Sequence, residues 1–175
     1  LANVITGNAE LFNLIDGGAG ADTMIGGGGD DNYIVDNVGD VITESFGSGF
    51  DYIYSRVSYT VPAHVEDLYF YFGTGNVDGT GNDLPNYLAG NDGNNLLNGM
   101  ADADVMYGSS GNDTYVVDNA GDTIGEFSSE GTDTVRSSIN WTLGSELERL
   151  VLTGSAVQGT GNTLDNVITG NAQAN

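Results

Sequence analysis

The sequence predicts an all-β fold, a parallel β-roll or right-handed β-solenoid built from stacked short strands. Three observations favour this class. Glycine, aspartate and apolar residues recur every nine residues, the whole pattern recurs over a much longer interval, and the chain combines strong acidity with many aromatic residues. Repeats of this kind are typical of stacked architectures, in which each unit contacts only its neighbours along the axis.

The composition excludes several functional classes. The 175 residues include 25 acids and 3 bases, which gives a net charge of −22, and there is no Cys. A disulfide framework is therefore excluded, and nucleic-acid phosphates would be repelled rather than bound. No apolar run is long enough to span a membrane.

The high charge leaves two interpretations. Low hydrophobicity with high net charge is typical of disorder, yet 39% of the residues are hydrophobic, including nine Tyr and six Phe. A packed fold is favoured if the carboxylates bind cations from solvent, and oxygen ligands select hard ions such as Ca²⁺. The alternative is that the acids form a solvated surface.

A long repeat divides the chain. The segment DNYIVDNVGDVITE at 31–44 recurs as DTYVVDNAGDTIGE at 113–126, an offset of 82 residues, and GTGN at 79–82 recurs at 159–162. We therefore expect two solenoid modules, 1–83 and 84–175, the second continuous with the first. The opening LANVITGN matches the same alignment, which favours a fragment of a larger repeat array.

A shorter period of nine lies inside each module. Adjacent units GGAGADTMI (17–25) and GGGGDDNYI (26–34) share the form G-G-x-G-x-D-x-U-x, where U is apolar. The x-U-x segment suits a short strand with one inward side chain, and the glycines permit a tight turn. Two units form one coil of 18 residues, so stacked turns bring two carboxylates and a ring of carbonyls around one ion.

These units resemble the RTX (repeats-in-toxin, haemolysin-type) calcium-binding nonapeptide repeats of bacterial secreted proteins. Units 17–25 and 26–34 match the motif fully, whereas GMADADVMY (99–107) and GSSGNDTYV (108–116) match it in degraded form, with Asp102 in place of a glycine. The resemblance implies several bound Ca²⁺ ions, calcium-dependent folding and export through a type I secretion channel. It also implies an extracellular or cell-surface location in a bacterium.

Stacking also predicts the metal ligands. Carboxylates 18 or 20 residues apart should pair, namely Asp22 with Asp40, Asp31 with Asp51, Asp104 with Asp122, and Asp113 with Asp133. The backbone carbonyls expected to join them are those of Gly17, Gly18, Gly20, Gly26, Gly27, Gly29, Gly99, Gly108 and Gly111. Asp36 and Asp118 are expected as auxiliary ligands, and the recurring Glu44 and Glu126 are less favoured. The alternative is that some of these aspartates only hydrogen-bond their own turn.

Other segments are expected to continue the solenoid. Turns with Asn at the Asp position should stack without an ion or bind one weakly, with Asn86 facing Asp104 and Asn95 facing Asp113. The segments 51–72 and 133–152 show strand alternation and are expected to form wider coils. The YFYF run at 69–72 is expected to be core rather than a binding surface, although Tyr-rich strands also suit a carbohydrate or partner site.

No catalytic motif is present, so we expect a protein that is not an enzyme. The lone His64 has Glu146 as its counterpart in the second module, which indicates a surface residue. A calcium-binding structural or adhesive segment is favoured over a non-catalytic accessory module of an exoenzyme such as a protease, lipase or alginate epimerase. An ice-binding segment, suggested by the GTGN recurrence, is less favoured. Beyond calcium, the partner classes left open are a surface, a carbohydrate and a neighbouring module.

Overall fold

The strands stack into a parallel β-solenoid of about nine turns, which confirms the predicted fold class. A computed structural model describes residues 1–9 and 11–174. These residues form nineteen β-strands, each two to four residues long, and no helix. Accordingly, no helix in the described ranges is long and apolar enough to cross a membrane.

The strands alternate between two faces, with the odd-numbered strands on one face and the even-numbered strands on the other. The odd face contains β1 (Val4–Thr6), β3 (Thr23–Ile25), β5 (Val41–Thr43), β7 (Tyr59–Thr60), β9 (Gly79–Thr80), β11 (Leu96–Asn98), β13 (Thr114–Val117), β15 (Thr134–Ser137), β17 (Arg149–Leu152) and β19 (Val167–Thr169). The even face contains β2 (Leu14–Asp16), β4 (Asn32–Val35), β6 (Tyr52–Ser55), β8 (Asp67–Phe70), β10 (Tyr87–Ala89), β12 (Val105–Tyr107), β14 (Thr123–Gly125), β16 (Trp141–Thr142) and β18 (Gly159–Thr160).

Each strand pairs in parallel with the strand one coil away. The ladder is interrupted between β5 and β7 on one face and between β14 and β16 on the other. It runs unbroken across the expected module boundary, because β8 pairs with β10 and β9 pairs with β11.

The core lies between the two faces, and the U residues of the units point into it. Met24, Ile53, Leu88 and Met106 are fully buried at this position. Complete burial of such a side chain contributes about 1.5–3 kcal/mol. The nine-residue period thus places the U side chains between the two faces, and the four-residue strands β4 and β13 add Val35 and Val117.

The two modules are offset by an odd number of strands, which puts equivalent elements on opposite faces. β4 in the first module lies on the even face, whereas its counterpart β13 lies on the odd face. The turns that precede these two strands therefore lie at opposite edges of the solenoid.

The segments 51–72 and 133–152 continue the solenoid, as expected, but they do not form wider coils. The hydrogen bonds from Asp51 to Glu66 and from Asp133 to Glu148 each close a coil of 15 residues, against 18 for the coil from Asp22 to Asp40. A tight turn replaces the glycine-rich one in these short coils. His64 and its counterpart Glu146 occupy the left-handed region there, with φ of 71° and 61°.

Candidate metal centres

The predicted aspartate pairs lie on successive coils and are linked by hydrogen bonds. In each pair the Oδ1 atom of the later Asp accepts the backbone N–H of the earlier one. The distances are 2.9 Å for Asp22 to Asp40, 2.7 Å for Asp31 to Asp51, 3.1 Å for Asp104 to Asp122 and 2.8 Å for Asp113 to Asp133. All eight side chains are buried. The hydrogen bonds hold the carboxylates in a column at each edge of the solenoid.

The second carboxylate oxygen of many of these residues has no partner. The Oδ2 atoms of Asp22, Asp31, Asp51, Asp104 and Asp113 are buried and accept no hydrogen bond. A buried carboxylate without a compensating group is strongly destabilising. Oxygen donors of this kind, converging without a basic partner, fit a hard cation such as Ca²⁺ rather than Zn²⁺.

Two clusters bring three carboxylates together. Asp31, Glu44 and Asp51 form one, and Asp113, Glu126 and Asp133 form the other; in each, one oxygen per residue lies within 4.8 Å of the others. Calcium binds oxygen at about 2.3–2.6 Å, so oxygens on one ion lie at most about 5 Å apart. Each cluster therefore has the dimensions of a single coordination sphere. We call the first the Asp31 cluster and the second the Asp113 cluster.

Glu44 and Glu126 enter these clusters through the closure of a coil. Tyr33 on β4 donates its phenolic hydrogen to Oε1 of Glu44, which follows β5. Oε2 of Glu44 accepts from the Ser48 hydroxyl at 2.9 Å. In the second module Tyr115 donates to Oε1 of Glu126 in the same way, and Oε2 of Glu126 is buried without a partner.

The sequence favours Asp36 and Asp118 over these two glutamates as auxiliary ligands, whereas in the fold the glutamates lie closer to the paired aspartates. Asp36 and Asp118 are respectively half-buried and exposed, and neither belongs to a three-carboxylate cluster of the described residues. The signal available in the sequence was the joint recurrence of Tyr33 with Glu44 in the second module, a Tyr at the U position followed by a Glu at a constant distance.

Burial raises the pKa of several clustered carboxyl groups. The pKa rises to about 7 for Asp51 and Asp104, and to about 6 for Asp113 and Asp133. The pKa of Glu126 rises to about 9, because burial and the charges of Asp133 and Asp113 all disfavour its ionised form. These groups resist ionisation in the folded chain unless a cation balances them.

Asp40 and Asp122 differ from the other paired aspartates because both of their oxygens are used by the protein. Oδ2 of Asp40 accepts the backbone N–H groups of Asp36 at 3.2 Å and Asn37 at 3.1 Å. Asp122 repeats this arrangement with Asp118 and Asn119. Asp40 and Asp122 thus stabilise their own turns, whereas Asp22 and Asp104 each keep an unpartnered Oδ2 atom. Metal ligation by Asp40 and Asp122 stays a prediction.

The glycines at the first position of the units leave space beside the buried carboxylates. A Cβ atom at Gly26 would fall on Oδ2 of Asp31, the Tyr33 hydroxyl and Oε1 of Glu44, and Gly17, Gly99 and Gly108 face Asp22, Asp104 and Asp113 in the same way. The other glycines expected as ligands, Gly18, Gly20, Gly27, Gly29 and Gly111, have positive φ angles and shape the turns. Coordination by their carbonyl groups stays a prediction.

The degraded unit 99–107 keeps a left-handed turn although Met100 and Asp102 replace the glycines of its second and fourth positions. Met100 and Asp102 have φ of 71° and 69°, in the region occupied by Gly18 in the first module. A side chain in this region costs about 1–2 kcal/mol. Met100 thus keeps the backbone conformation of Gly18 at the cost of backbone strain.

At the Asn-containing turns, side-chain amides donate hydrogen bonds to backbone carbonyls of the neighbouring coil. Asn86 and Asn95 face Asp104 and Asp113 as predicted. The backbone N–H of Asn86 donates to Oδ1 of Asp104 with an N to O distance of 2.8 Å, and that of Asn95 donates to Oδ1 of Asp113 at 2.7 Å. Their side-chain amides donate to backbone carbonyls, from Asn86 to Glu66 at 2.9 Å and from Asn95 to Val77 at 2.6 Å. A neutral donor thus satisfies these turns internally.

The fold and the site together define a class of protein, a parallel β-solenoid with buried, unpaired carboxylates stacked at its turns. Residues 12–42 and 79–115 match the family model described as RTX calcium-binding nonapeptide repeat (4 copies). These two segments therefore carry RTX calcium-binding nonapeptide repeats, which confirms the resemblance seen in the motifs. No curated protein and no solved structure matched the chain.

Proposed function

We propose that this chain is a calcium-binding β-roll segment of a secreted bacterial RTX-type protein, which folds on binding Ca²⁺ outside the cell and serves a structural or adhesive role. The observation that carries the proposal is the set of five buried Asp Oδ2 atoms without partners. The proposed carboxylate ligands are Asp22, Asp31, Asp36, Asp40, Asp51, Asp104, Asp113, Asp118, Asp122 and Asp133. The glycines of the turns add their carbonyls.

Calcium would couple binding to folding. The unfolded chain does not hold the carboxylates together, so the free energy of binding adds to the free energy of folding. Without the ion, a net charge of −22 opposes the compact state through self-repulsion. An expanded chain suits passage through a secretion channel, and folding follows where Ca²⁺ is plentiful.

Circular dichroism and small-angle scattering of residues 1–175 in EGTA and in millimolar Ca²⁺ test the proposal. We expect an expanded chain in EGTA and a compact β-structure in Ca²⁺, with several ions bound per chain by calorimetry. An identical compact β-structure in both buffers, with no heat of binding, would contradict it.

We propose that the chain itself has no catalytic activity and that any activity of its parent protein resides in another domain. The RTX repeat family is typically a non-catalytic calcium-binding module. An accessory role beside a protease, lipase or epimerase domain is the alternative to an adhesive one. Hydrolysis of a protein, ester or polysaccharide substrate by residues 1–175 alone would contradict this proposal.

A row of tyrosines on the even face supports the adhesive role. Tyr54, Tyr69, Tyr87 and Tyr107 are half-buried on adjacent strands, and their ring centroids are 5.3–5.5 Å apart. Within the YFYF run only Phe70 meets the expectation of a core residue, while the tyrosines face outward and Phe72 is exposed. The row crosses the module boundary, because Tyr54 and Tyr69 belong to the first module and Tyr87 and Tyr107 to the second; the second-module counterparts of Tyr54 and Tyr69 are Arg136 and Val151.

We propose a neutral polysaccharide as the ligand of the tyrosine row. Tyrosine rings combine an apolar surface for sugar C–H groups with hydroxyls for hydrogen bonding, and a charge of −22 disfavours anionic polymers. Affinity electrophoresis in a neutral glucan gel should show retardation of the native chain. Tyr69→Ala with Tyr87→Ala should abolish the retardation, whereas Phe127→Ala, an exposed aromatic outside the row, should not. Equal mobility of all variants would exclude this ligand.

A further inference from the structure

We propose that Glu44 and Glu126 are direct cation ligands held in place by Tyr33 and Tyr115, and that the Asp113 cluster binds its cation more tightly than the Asp31 cluster. This inference rests on the proposed calcium-binding function and assigns ligands outside the nonapeptide motif. It divides the sites into two classes, the three-carboxylate clusters and the sites that contain Asp22 or Asp104.

Unpartnered carboxylate oxygens converge in the Asp31 cluster. In the Asp31 cluster, Oδ2 of Asp31 and Oδ2 of Asp51 are buried with no hydrogen bond. Gly26 leaves open the space where Oδ2 of Asp31, Oε1 of Glu44 and the Tyr33 hydroxyl meet. Three carboxylates around one space carry a formal charge that a divalent cation largely balances.

A buried tyrosine fixes the position of the glutamate in each cluster. Tyr33 is fully buried, so its ring is fixed by the core while its hydroxyl donates to Glu44. Hydrogen bonds of this kind orient the ligands of metal sites, and their loss typically reduces metal affinity about 10–100-fold. Tyr33 and Tyr115 are therefore positioning residues that link the packed core to the carboxylates.

The two clusters differ in one neighbouring side chain. The Ser48 hydroxyl donates to Glu44, and the residue at the equivalent position of the second module is Glu130. Glu130 accepts the backbone N–H of Phe127, the residue after Glu126, at 2.8 Å, and its charge acts on Glu126, Asp113 and Asp133. The Asp113 cluster thus has a further carboxylate beside it, at the position where the Asp31 cluster has the Ser48 hydroxyl. Calcium affinity rises with the number of charged ligands.

The Asp22 and Asp104 sites have fewer oxygens to offer. Both oxygens of Asp40 and Asp122 already accept backbone hydrogen bonds. We infer that cations fill the Asp113 cluster first, the Asp31 cluster next and the remaining sites last. Because the modules are offset by an odd number of strands, the first two ions bind at opposite edges of the solenoid.

Terbium luminescence sensitised by tyrosine, together with calcium calorimetry, tests this assignment. The Tyr33 and Tyr115 hydroxyls lie at the clusters, so bound Tb³⁺ should be excited through these rings. Glu126→Gln should remove the tightest binding step and Glu44→Gln the next one, each lowering affinity at its cluster by at least about tenfold. The exposed Asp83→Asn removes the same charge elsewhere and should leave both steps unchanged.

Two further variants leave the three carboxylates of each cluster intact. They test the positioning tyrosine and the neighbouring Glu130 separately. Tyr115→Phe should weaken the tightest step about tenfold and abolish most of its luminescence, whereas Tyr71→Phe should do neither. Glu130→Ser should bring the affinity of the Asp113 cluster down to that of the Asp31 cluster. Circular dichroism at saturating Ca²⁺ should verify that each variant is folded.

The outcomes distinguish this inference from the proposed function. If the native chain binds calcium but Glu44→Gln and Glu126→Gln bind it with native affinities, the glutamates are not ligands and this inference fails alone. If Glu130→Ser leaves the two steps unchanged, the proposed order of filling fails. If the native chain binds no calcium, the proposed function fails as well.

Discussion

Tyr33 donates its phenolic hydrogen to the carboxylate of Glu44, a residue 11 positions further along the chain. The ring is fully buried in the core, whereas the carboxylate belongs to the Asp31 cluster at the edge of the solenoid. The contact exists only when the coil between the two residues is closed. It therefore ties the packing of the apolar core to the arrangement of the acidic turn.

Replacement of Asp31 by Asn should weaken calcium-induced folding. The substitution keeps the shape of the side chain but removes one charge from the Asp31 cluster, so we expect the calcium concentration at half-folding to rise on the order of tenfold. Asp83→Asn is the matched control because Asp83 is exposed. Asp67, although outside the repeat, is unsuitable because it is buried and accepts the Tyr69 hydroxyl at 2.9 Å. Equal shifts for Asp31→Asn and Asp83→Asn in a calcium titration followed by circular dichroism would refute the assignment.

Replacement of Gly26 by Ala should block the Asp31 cluster. The added methyl group would occupy the space bounded by Asp31, Tyr33 and Glu44, so we expect loss of one tight ion from the calorimetric stoichiometry. Gly144→Ala is the control because its Cβ would meet only Leu147, at an ordinary 3.7 Å. An unchanged stoichiometry in Gly26→Ala would show that the ion lies elsewhere.

Replacement of Asn91 by Ala should destabilise the fold without affecting calcium binding. The fully buried side chain donates to Thr74 at 2.7 Å and Gly75 at 3.0 Å and accepts from Gly93 at 2.8 Å. Leaving such groups unsatisfied costs about 1–3 kcal/mol. Urea denaturation at saturating Ca²⁺ should show this loss, and a calcium affinity reduced in parallel would argue for an ion at this turn.

Replacement of Met100 by Gly should stabilise the second module. Met100 adopts the left-handed φ that Gly18 adopts at the equivalent position of the first module. Relief of about 1–2 kcal/mol of strain, less the entropy that glycine loses on folding, leaves a gain of about 0.5–1 kcal/mol. The measurement is the free energy of unfolding in saturating Ca²⁺, and a loss of stability would contradict the predicted strain.

Without calcium, stability of the folded chain should fall as the pH rises. Asp51 and Asp104 have pKa values of about 7 in the folded chain and Glu126 has about 9, against about 4 in an unfolded chain. The unfolded chain therefore releases these protons first, and stability is lost from about pH 4 upwards until the folded groups have ionised. In EGTA, acidification from pH 8 to pH 5 should increase the β-signal, whereas in Ca²⁺ the β-signal should persist at about pH 8. A metal-free chain that gains structure as the pH rises would contradict the raised pKa values.

Much of this arrangement could be predicted because the repeat acts locally. The x-U-x segments place Met24 and Leu88 in the core, and the spacing of Asp22 and Asp40 places these residues on successive coils. Spacing along the chain could not predict the 15-residue coil that joins Asp51 to Glu66, since the glycine motif that sets the coil length is absent there. It also could not rank Glu44 above Asp36.

The sequence by itself determined the strand period, the parallel stacking and the aspartates that face one another, because these depend on a nine-residue repeat of backbone requirements and side-chain direction. The tertiary structure decided which oxygens stay unpartnered and which, like those of Asp40, are taken up by the turn. It also decided that Tyr33 reaches Glu44 and that the Asp31 and Asp113 clusters lie at opposite edges. These features depend on how the coils close and on the odd number of strands per module, and neither follows from the nine-residue motif.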